Sequence, residues 1–323
     1  MSIKINRRSC DAVAQCETGL KKRQSKWSSI KKCLPLYLIL LPGLCHYILF
    51  RYVPLTGITI AFKDLDLYKG IWESPWVGLK HFYDIFSSNE IWVLIRNTVL
   101  LGLYTLIWGM SIPIFFAIIL NEIKISPVKK LVQSVSYFPC LLSTVVVCSM
   151  VTDFLSPNSG IINNMLAGLG FERHYFMIDS AWYRVIYVVS EVWQRFGYNA
   201  IIYFAAISSI DTQLYEAAAI DGCGRLKRIW HITLPGLLPT ICVMLIMNVG
   251  NIFRIGADKG LLLYNPMTYE VADIFGTFVY RKGILESSYS YAAAAGLFES
   301  VVSFALVYTT NWLSKRYTEN SLW

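Results

Sequence analysis

The chain has 323 residues, of which 55% are hydrophobic and 15% are charged, and its formal net charge is +8. Soluble domains carry roughly a quarter charged residues, so this composition excludes an ordinary water-soluble protein. The apolar residues form long blocks separated by short polar stretches, which predicts a polytopic membrane protein of the all-α class.

Residues 1–33 form a basic N-terminal tail. The tail carries nine Lys and Arg residues and has no apolar core at its start, so it is not a cleavable signal peptide. The pattern favours a disordered tail on the cytoplasmic side of the membrane. A specific site for lipid headgroups is the alternative interpretation.

Six segments beyond the tail are long and apolar enough to cross a bilayer, which takes about 20 residues per helix. The spans are predicted at about 34–53, 97–120, 132–153, 184–208, 237–256 and 292–313, followed by a short C-terminal tail over 314–323.

The distribution of Lys and Arg predicts the orientation, because cytoplasmic loops carry an excess of these residues. With a cytoplasmic N-terminus, the inside segments hold 17 basic and 7 acidic residues, whereas the outside loops, counted with Arg51 and Asp153 beside them, hold 9 and 12. Both termini are therefore predicted to be cytoplasmic. The net charge then reflects topology and gives no reason to expect nucleic-acid binding.

The predicted outside loops, 54–96 and 257–291, are rich in aromatic residues. Aromatic belts at the membrane interface explain most such residues, and docking of an external protein is the alternative. The residues concerned are Trp72, Trp76, Tyr264, Tyr269, Tyr280, Tyr289 and Tyr291.

The fourth predicted span is unusually polar. A charge at the centre of a spanning helix costs about 2.5–3.5 kcal/mol on insertion scales, so such a residue is expected to face the bundle interior or water. Glu191 and Arg195 are four residues apart and can pair on one helix face. The fifth span adds a second polar stripe. Together the candidates for a polar path are Glu191, Gln194, Arg195, Tyr198, Asn199, Asn248 and Asn251. Alternatively, the same side chains bond between helices and fix the bundle.

A cytoplasmic loop, residues 211–236, joins predicted spans four and five. Asp211 or Thr212 can cap a helix that begins just after it, and Gly222 and Gly224 can end that helix. Because a helix of about ten residues is marginal alone in water, we expect a partner surface to help hold it.

The same loop carries seven residues at fixed spacing, in the pattern EAA-x3-G-x9-I-x-LP. They are Glu216, Ala217, Ala218, Gly222, Ile232, Leu234 and Pro235. The pattern matches without a gap the EAA loop of binding-protein-dependent ABC importer permeases, and it lies before the next-to-last span, as it does in that family. An ordinary amphipathic loop helix would not require this spacing. The chain therefore resembles that family.

The resemblance extends over most of the chain beyond the tail. The stretches LLPGLCHYILFRYVPLTGITIAFKD, SPWVGLKHF, LLYNPMTYEVADIFGTFVYRKG and ENSLW are similar to the polysaccharide-type branch of sugar permeases, whose type I importer fold is that of maltose permeases.

Several partners are implied by the resemblance, for a subunit of a bacterial plasma membrane. They are a second, homologous permease, an external substrate-binding lipoprotein and a cytoplasmic ATPase dimer. The helix around Glu216 is then the element that docks on the ATPase. The polar stripes would line a path for a carbohydrate, an oligosaccharide or polysaccharide fragment, unless they only fix the bundle.

No catalytic or metal site is expected in this chain. It lacks the G-x-x-x-x-G-K-[ST] phosphate loop and the H-E-x-x-H metal motif, and its four histidines are scattered. ATP is therefore expected to be used by a partner, and the chain to be a transporter subunit without a cofactor. The alternatives are a permease for a non-sugar solute or a membrane-embedded enzyme. The roles of Glu299 and Arg254, which depart from the family pattern, stay undecided.

Overall fold

The computed structural model describes residues 26–253 and 256–318, with side chains for residue 34 and for residues 37–253 and 256–316. The chain divides into two units, residues 1–57 and 58–323. Arg254 and the terminal ENSLW stretch lie outside the described residues, as does the predicted tail up to residue 25.

The described part of the first unit is helical. Helix α1 (Lys26–Tyr47) continues into a π-helical turn, Ile48–Tyr52, and a 3₁₀ helix, Val53–Phe62, begins at the end of this unit. Helix α1 therefore starts eight residues before the predicted span, inside the stretch assigned to the tail. Large apolar side chains are exposed along it.

The second unit is built from long helices joined by short ones. Its α-helices are α2 (Gly70–Glu73), α3 (Lys80–Ser87), α4 (Glu90–Glu122), α5 (Ser126–Tyr137), α6 (Thr144–Phe154), α7 (Ile161–Gly168), α8 (Ser180–Ser208), α9 (Thr212–Ile220), α10 (Arg225–Arg228), α11 (Leu234–Val249), α12 (Ala257–Leu263), α13 (Tyr269–Ala272), α14 (Phe275–Tyr280) and α15 (Tyr289–Thr318). A 3₁₀ turn (Phe138–Leu141) and two π turns (Ile229–Thr233 and Arg281–Leu285) join some of these helices.

Within the described residues, four helical stretches are long and apolar enough to cross a membrane. They are Tyr37–Phe62, Glu90–Glu122, Arg225–Val249 and Tyr289–Arg316. A bent pair of helices would make a fifth if it counts as one span. Helix α8 covers the predicted fourth span and is long enough at 29 residues, but its charged and polar side chains keep it out of this apolar set. The count of six spans stays a prediction.

The predicted third span is a broken helix. Ser126–Leu141 and Thr144–Phe154 meet at an angle of 98°. The break follows the 3₁₀ turn that contains Pro139, and Ser143 caps the second half by accepting a hydrogen bond from the Val146 backbone N–H. A proline removes a helix donor, and the serine supplies a new N-cap, so the sequence favours a break at this point.

Helices α4 and α8 form the centre of the second unit. Leu101 and Ala117 of α4 are fully buried, and Ala200 and Tyr203 of α8 are nearly so. Leu237 of α11 joins Ala117 and Tyr203 in one apolar cluster. The polar side chains of α8 therefore lie on a helix that is anchored by its apolar face.

A polar network ties the segment around α13 and α14 to this centre. Asn97 of α4 donates from Nδ2 to the carbonyl oxygens of Glu270 (2.9 Å) and Asp273 (3.2 Å). Its Oδ1 accepts a hydrogen bond from Arg184 of α8 at 3.1 Å. Asp273 in turn binds Arg281. These bonds hold the segment that follows α12 against both central helices.

Gly197 is the position where α8 comes closest to α5. A Cβ atom at residue 197 would run into the backbone carbonyl of Ser136. Overpacking of this kind costs about 1–3 kcal/mol, so we expect Gly197→Ala to lower the thermal midpoint of the detergent-solubilised protein by several degrees. Gly296→Ala in α15 is the matched control, since a Cβ there meets nothing within 4 Å. An unchanged midpoint for Gly197→Ala would contradict the close packing.

Candidate functional site

A polar cavity of about 390 Å³ opens between α4, α8, α11 and α12. Its lining mixes amides, hydroxyls and charges with a few apolar side chains. The polar lining residues are Thr105, Thr144, Tyr187, Glu191, Arg195, Asn199, Asn248, Asn251, Asp258 and Lys259. Five of the seven sequence-predicted path residues are thus brought together.

Glu191 is the centre of an ion network in this cavity. Its Oε1 forms an ion pair with Nε of Arg195 at 2.6 Å, which is the predicted pair one helical turn apart. Its Oε2 accepts one from Nζ of Lys259 at 3.0 Å. We call Glu191, Arg195 and Lys259 the charge triad. One carboxylate therefore holds two cations, and the triad has a formal charge of +1.

Lys259 is the buried member of the triad, with its side chain only 2% exposed. Its Nζ lies 5.4 Å from the centre of the Tyr187 ring, within the range of cation–π attraction. Two glycines allow α12 to pack closely enough for Lys259 to reach Glu191. A Cβ at Gly260 would lie 2.9 Å from Thr277, and one at Gly276 would lie 2.6 Å from Ala257.

Asn248 and Asn251 lie at the end of α11 and just beyond it. Their Nδ2 atoms donate to the carbonyl oxygens of Met244 (2.8 Å) and Met247 (3.2 Å), four residues earlier. Both side chains line the cavity. They therefore add amide groups on the wall opposite the α8 residues.

Gln194 and Tyr198 do not line the cavity. Gln194 is buried, and its Nε2 donates to the Leu142 carbonyl at 3.0 Å, at the break between α5 and α6. That carbonyl is one of the groups that the helix break leaves without a helical partner. Tyr198 is 57% exposed. Gln194 thus stabilises the broken helix, and Tyr198 lies on an outer face of α8.

Lys259 is not among the site residues predicted from the sequence, and neither are Thr105, Thr144, Tyr187 and Asp258. The sequence predicts residues 257–291 as an outside loop. The structure instead shows a short helix, α12, with the lysine buried against α8. The available signal was Glu191 itself, since a buried carboxylate next to an exposed arginine needs another counter-ion.

The loop 211–236 has the predicted helix and both of its caps. Asp211 is the N-cap and accepts a hydrogen bond from the Gln213 backbone N–H at 2.9 Å. Gly222 has a φ angle of +75°, and the Cys223 N–H donates to the Ala218 carbonyl at 2.8 Å. This is a Schellman ending, in which glycine takes the left-handed position. The helix is therefore specified by local sequence at both ends.

This loop exposes apolar surface and is anchored at one point. No residue of α9 is buried, and Ile220 is 87% exposed. Leu226 and Trp230 are also exposed. The Tyr215 hydroxyl is 3.0 Å from Oγ1 of Thr233, just before α11 begins with Leu234 and Pro235. The helix around Glu216 is thus connected to the base of α11.

The segment before α8 is also well ordered by polar contacts. The carboxyl of Asp179 accepts hydrogen bonds from the Ala181 backbone N–H and from His174, and these lower its pKa below the usual value. Asn163 is buried and donates to the His174 carbonyl at 3.0 Å. The charged carboxylate therefore caps α8 at neutral pH.

Most of the predicted outside aromatics lie in small clusters or on the surface. Trp72, Trp76 and Tyr280 are exposed, and Tyr264 and Tyr269 contact each other with ring centres 4.9 Å apart. Glu299 lies half-buried in α15, and its role stays undecided.

The sequence also matches a known family. Residues 94–319 match the model described as "Binding-protein-dependent transport system inner membrane component". The chain belongs to this family. It is therefore a membrane permease subunit of a transport system, and members of the family are not themselves enzymes.

Two curated relatives come from Bacillus subtilis (strain 168). The permease is 37% identical to protein LplB over 295 residues, which covers 91% of this chain and 93% of LplB. It is 40% identical to the polygalacturonan/rhamnogalacturonan transport system permease protein YteP, and the match covers 89% of this chain and 90% of YteP. Both relatives match the permease over nearly its whole length.

Two solved structures share the fold. One is a bacterial ABC transporter involved in the import of the acidic polysaccharide alginate, with 39% identity, a TM-score of 0.84, and 90% of this permease and 99% of that chain covered. The other is an alginate ABC transporter in complex with an alginate pentasaccharide-bound periplasmic protein, with 38% identity, a TM-score of 0.85, and 92% and 99% covered. The fold is thus that of an ABC importer permease.

Proposed function

We propose that this permease forms part of the carbohydrate path of an ATP-driven importer and carries oligosaccharides from an external binding protein to the cytoplasm. The observation that carries the proposal is the polar cavity between apolar helices. A sugar presents many hydroxyl groups, and each needs a donor or acceptor when it leaves water.

The cavity supplies those groups in a suitable arrangement. Asn199 faces it from α8, Asn248 and Asn251 from the α11 side, and Thr105 from α4. Polar side chains inside a membrane-spanning bundle cost free energy, so their presence favours a functional role. The named substrates of YteP and of the alginate importer are also carbohydrates. An oligosaccharide is therefore the solute class that best fits the lining.

Loop 211–236 serves as the coupling loop to a cytoplasmic ATPase dimer. The exposed apolar residues of the loop offer a docking surface, and its small residues Ala217 and Ala218 allow a partner to approach the backbone closely. ATP hydrolysis takes place in the partner, and both termini of the permease lie in the cytoplasm. Closure of the ATPases moves α9, and the bond between Tyr215 and Thr233 passes that movement to α11.

The remaining partners complete the path. A second, homologous permease covers the open side of the cavity, and an external binding protein delivers the sugar from the opposite membrane face. Delivery by an external binding protein is supported by one of the solved alginate transporters, which is in complex with an alginate pentasaccharide-bound periplasmic protein.

Reversing the charge of Glu216 tests the docking surface. Glu216 is exposed on α9, and Glu216→Lys replaces an anion in the proposed interface with a cation. We expect it to reduce ATPase recovery at least about tenfold, because an unfavourable charge in an interface costs several kcal/mol. The measurement is a mild-detergent pull-down of the tagged permease from its native membranes.

Glu122→Lys is the matched control for this experiment. Glu122 is a glutamate at the end of α4, on the same predicted side of the membrane but outside the loop. The control should retain the ATPase. Equal recovery with Glu216→Lys and the control would refute the docking role of α9.

Removing one hydroxyl tests how movement is passed to α11. Tyr215→Phe deletes the hydrogen bond to Thr233, whose side chain is buried and would lose its partner. The loss costs about 1–3 kcal/mol, so we expect ATPase binding to persist while sugar uptake per ATP hydrolysed falls severalfold. The ratio is measured in proteoliposomes that hold the complete importer. An unchanged ratio would show that the bond has no part in coupling.

A further inference from the structure

The charged residues of the cavity differ in their exposure and in the ion pairs that they form. Among the described residues, four charged side chains line it, namely Glu191, Arg195, Asp258 and Lys259. Lys259 is almost completely buried, whereas Arg195 is 60% exposed. Asp258 makes no ion pair with either cation, and its side chain is exposed, as that of Arg195 is. The four formal charges sum to zero, so binding of an anion in the cavity depends on where each charge lies.

Lys259 and Arg195 have different tasks within the triad. Lys259 lies against one carboxylate oxygen of Glu191 with hardly any access to the cavity, so it compensates the negative charge of that partly exposed carboxylate. Arg195 uses only its Nε on Glu191, and its Nη atoms have no hydrogen-bond partner within the described part of the chain. The two Nη groups of the guanidinium, with four N–H donors between them, are thus available to a ligand in the cavity.

We propose that the cavity selects oligosaccharides that contain uronic acids, and that Arg195 binds the sugar carboxylate. Lys259 is a positioning residue, because it neutralises Glu191 and leaves the charge of Arg195 uncompensated. The proposal rests on the proposed function and adds the substrate class. A guanidinium binds a carboxylate through parallel N–H donors, which gives both strength and geometry.

A second feature of the cavity also carries positive charge, as Arg195 does. Thr144, the first residue of α6, lines the cavity, and a helix N-terminus carries a partial positive charge. Broken membrane helices direct such ends at anionic groups of substrates in other transporters. Both solved relatives are alginate transporters, and alginate is an acidic polysaccharide.

The charge of the triad can be varied while its size is nearly kept. Arg195→Gln and Lys259→Met each reduce the triad charge from +1 to zero, whereas the double variant Glu191→Gln/Lys259→Met restores +1. Arg316→Gln, in an exposed position at the end of α15, is the control. Each variant is placed in the complete importer, and the amount of permease and bound ATPase in the membrane is measured first.

Uptake is measured with two probes, a galacturonic-acid trisaccharide and its methyl ester, which lacks the charge. We expect Arg195→Gln and Lys259→Met to lower uptake of the acid about tenfold, as the loss of a charged hydrogen bond predicts. Uptake of the ester should change by less than about twofold. The double variant should recover part of the acid uptake that Lys259→Met loses, because the triad charge is again +1, and the control should resemble the wild type. The binding protein is common to all variants, so differences between them arise in the permease.

Two results would overturn this inference. One is an equal loss of acid and ester uptake in Arg195→Gln, a variant that keeps the Glu191–Lys259 pair and its contribution to folding. The other is a double variant as poor with the acid as a well-folded Lys259→Met. If Lys259→Met fails to accumulate, the comparison of Arg195→Gln with Arg195→Lys tests the inference instead. Arg195→Lys keeps the positive charge, so it should retain part of the preference for the acid, whereas Arg195→Gln should lose it.

Different results would contradict the proposed function and the proposed substrate class. A wild-type importer that carries neither probe nor any neutral oligosaccharide contradicts the proposed function itself. A wild-type importer that carries the ester as well as the acid overturns only the uronic-acid selectivity.

Discussion

The ion pair between Glu191 and Lys259 is the constraint on which the site depends. A carboxylate in the middle of a spanning helix is tolerated only with a partner, and a buried charge that loses its partner costs about 3–5 kcal/mol. The partner comes from α12, a seven-residue helix that has to pack against α8 to supply it. Both residues of the pair line the cavity, and Lys259 neutralises the carboxylate there.

Helix α11 connects loop 211–236 with the cavity. It begins beside Thr233, whose hydroxyl contacts that of Tyr215 of α9, and it ends at the asparagines of the cavity wall. Its 16 residues rise by about 24 Å at 1.5 Å per residue. Under the proposed function, a displacement at the loop is passed along this helix to the lining of the cavity.

Much of the fold and part of the site could be predicted from the sequence. The caps of α9 at Asp211 and Gly222 are local signals and are confirmed. The hydropathy blocks predicted most long helices, but not the 98° break in the third, because mean hydropathy does not register the turn at Pro139 or the cap at Ser143. Hydropathy does not identify Lys259 as a site residue, because a hydropathy window covers only residues that are neighbours in sequence. Its partner Glu191 is 68 residues away.

The most direct test of the central claim is a structure, by electron cryomicroscopy, of the complete importer with an oligosaccharide trapped during transport. We expect saccharide density in the cavity, within hydrogen-bond distance of Arg195 and of Asn248 or Asn251. Density that follows another route through the bundle, with the charge triad closed off from the sugar, would contradict it.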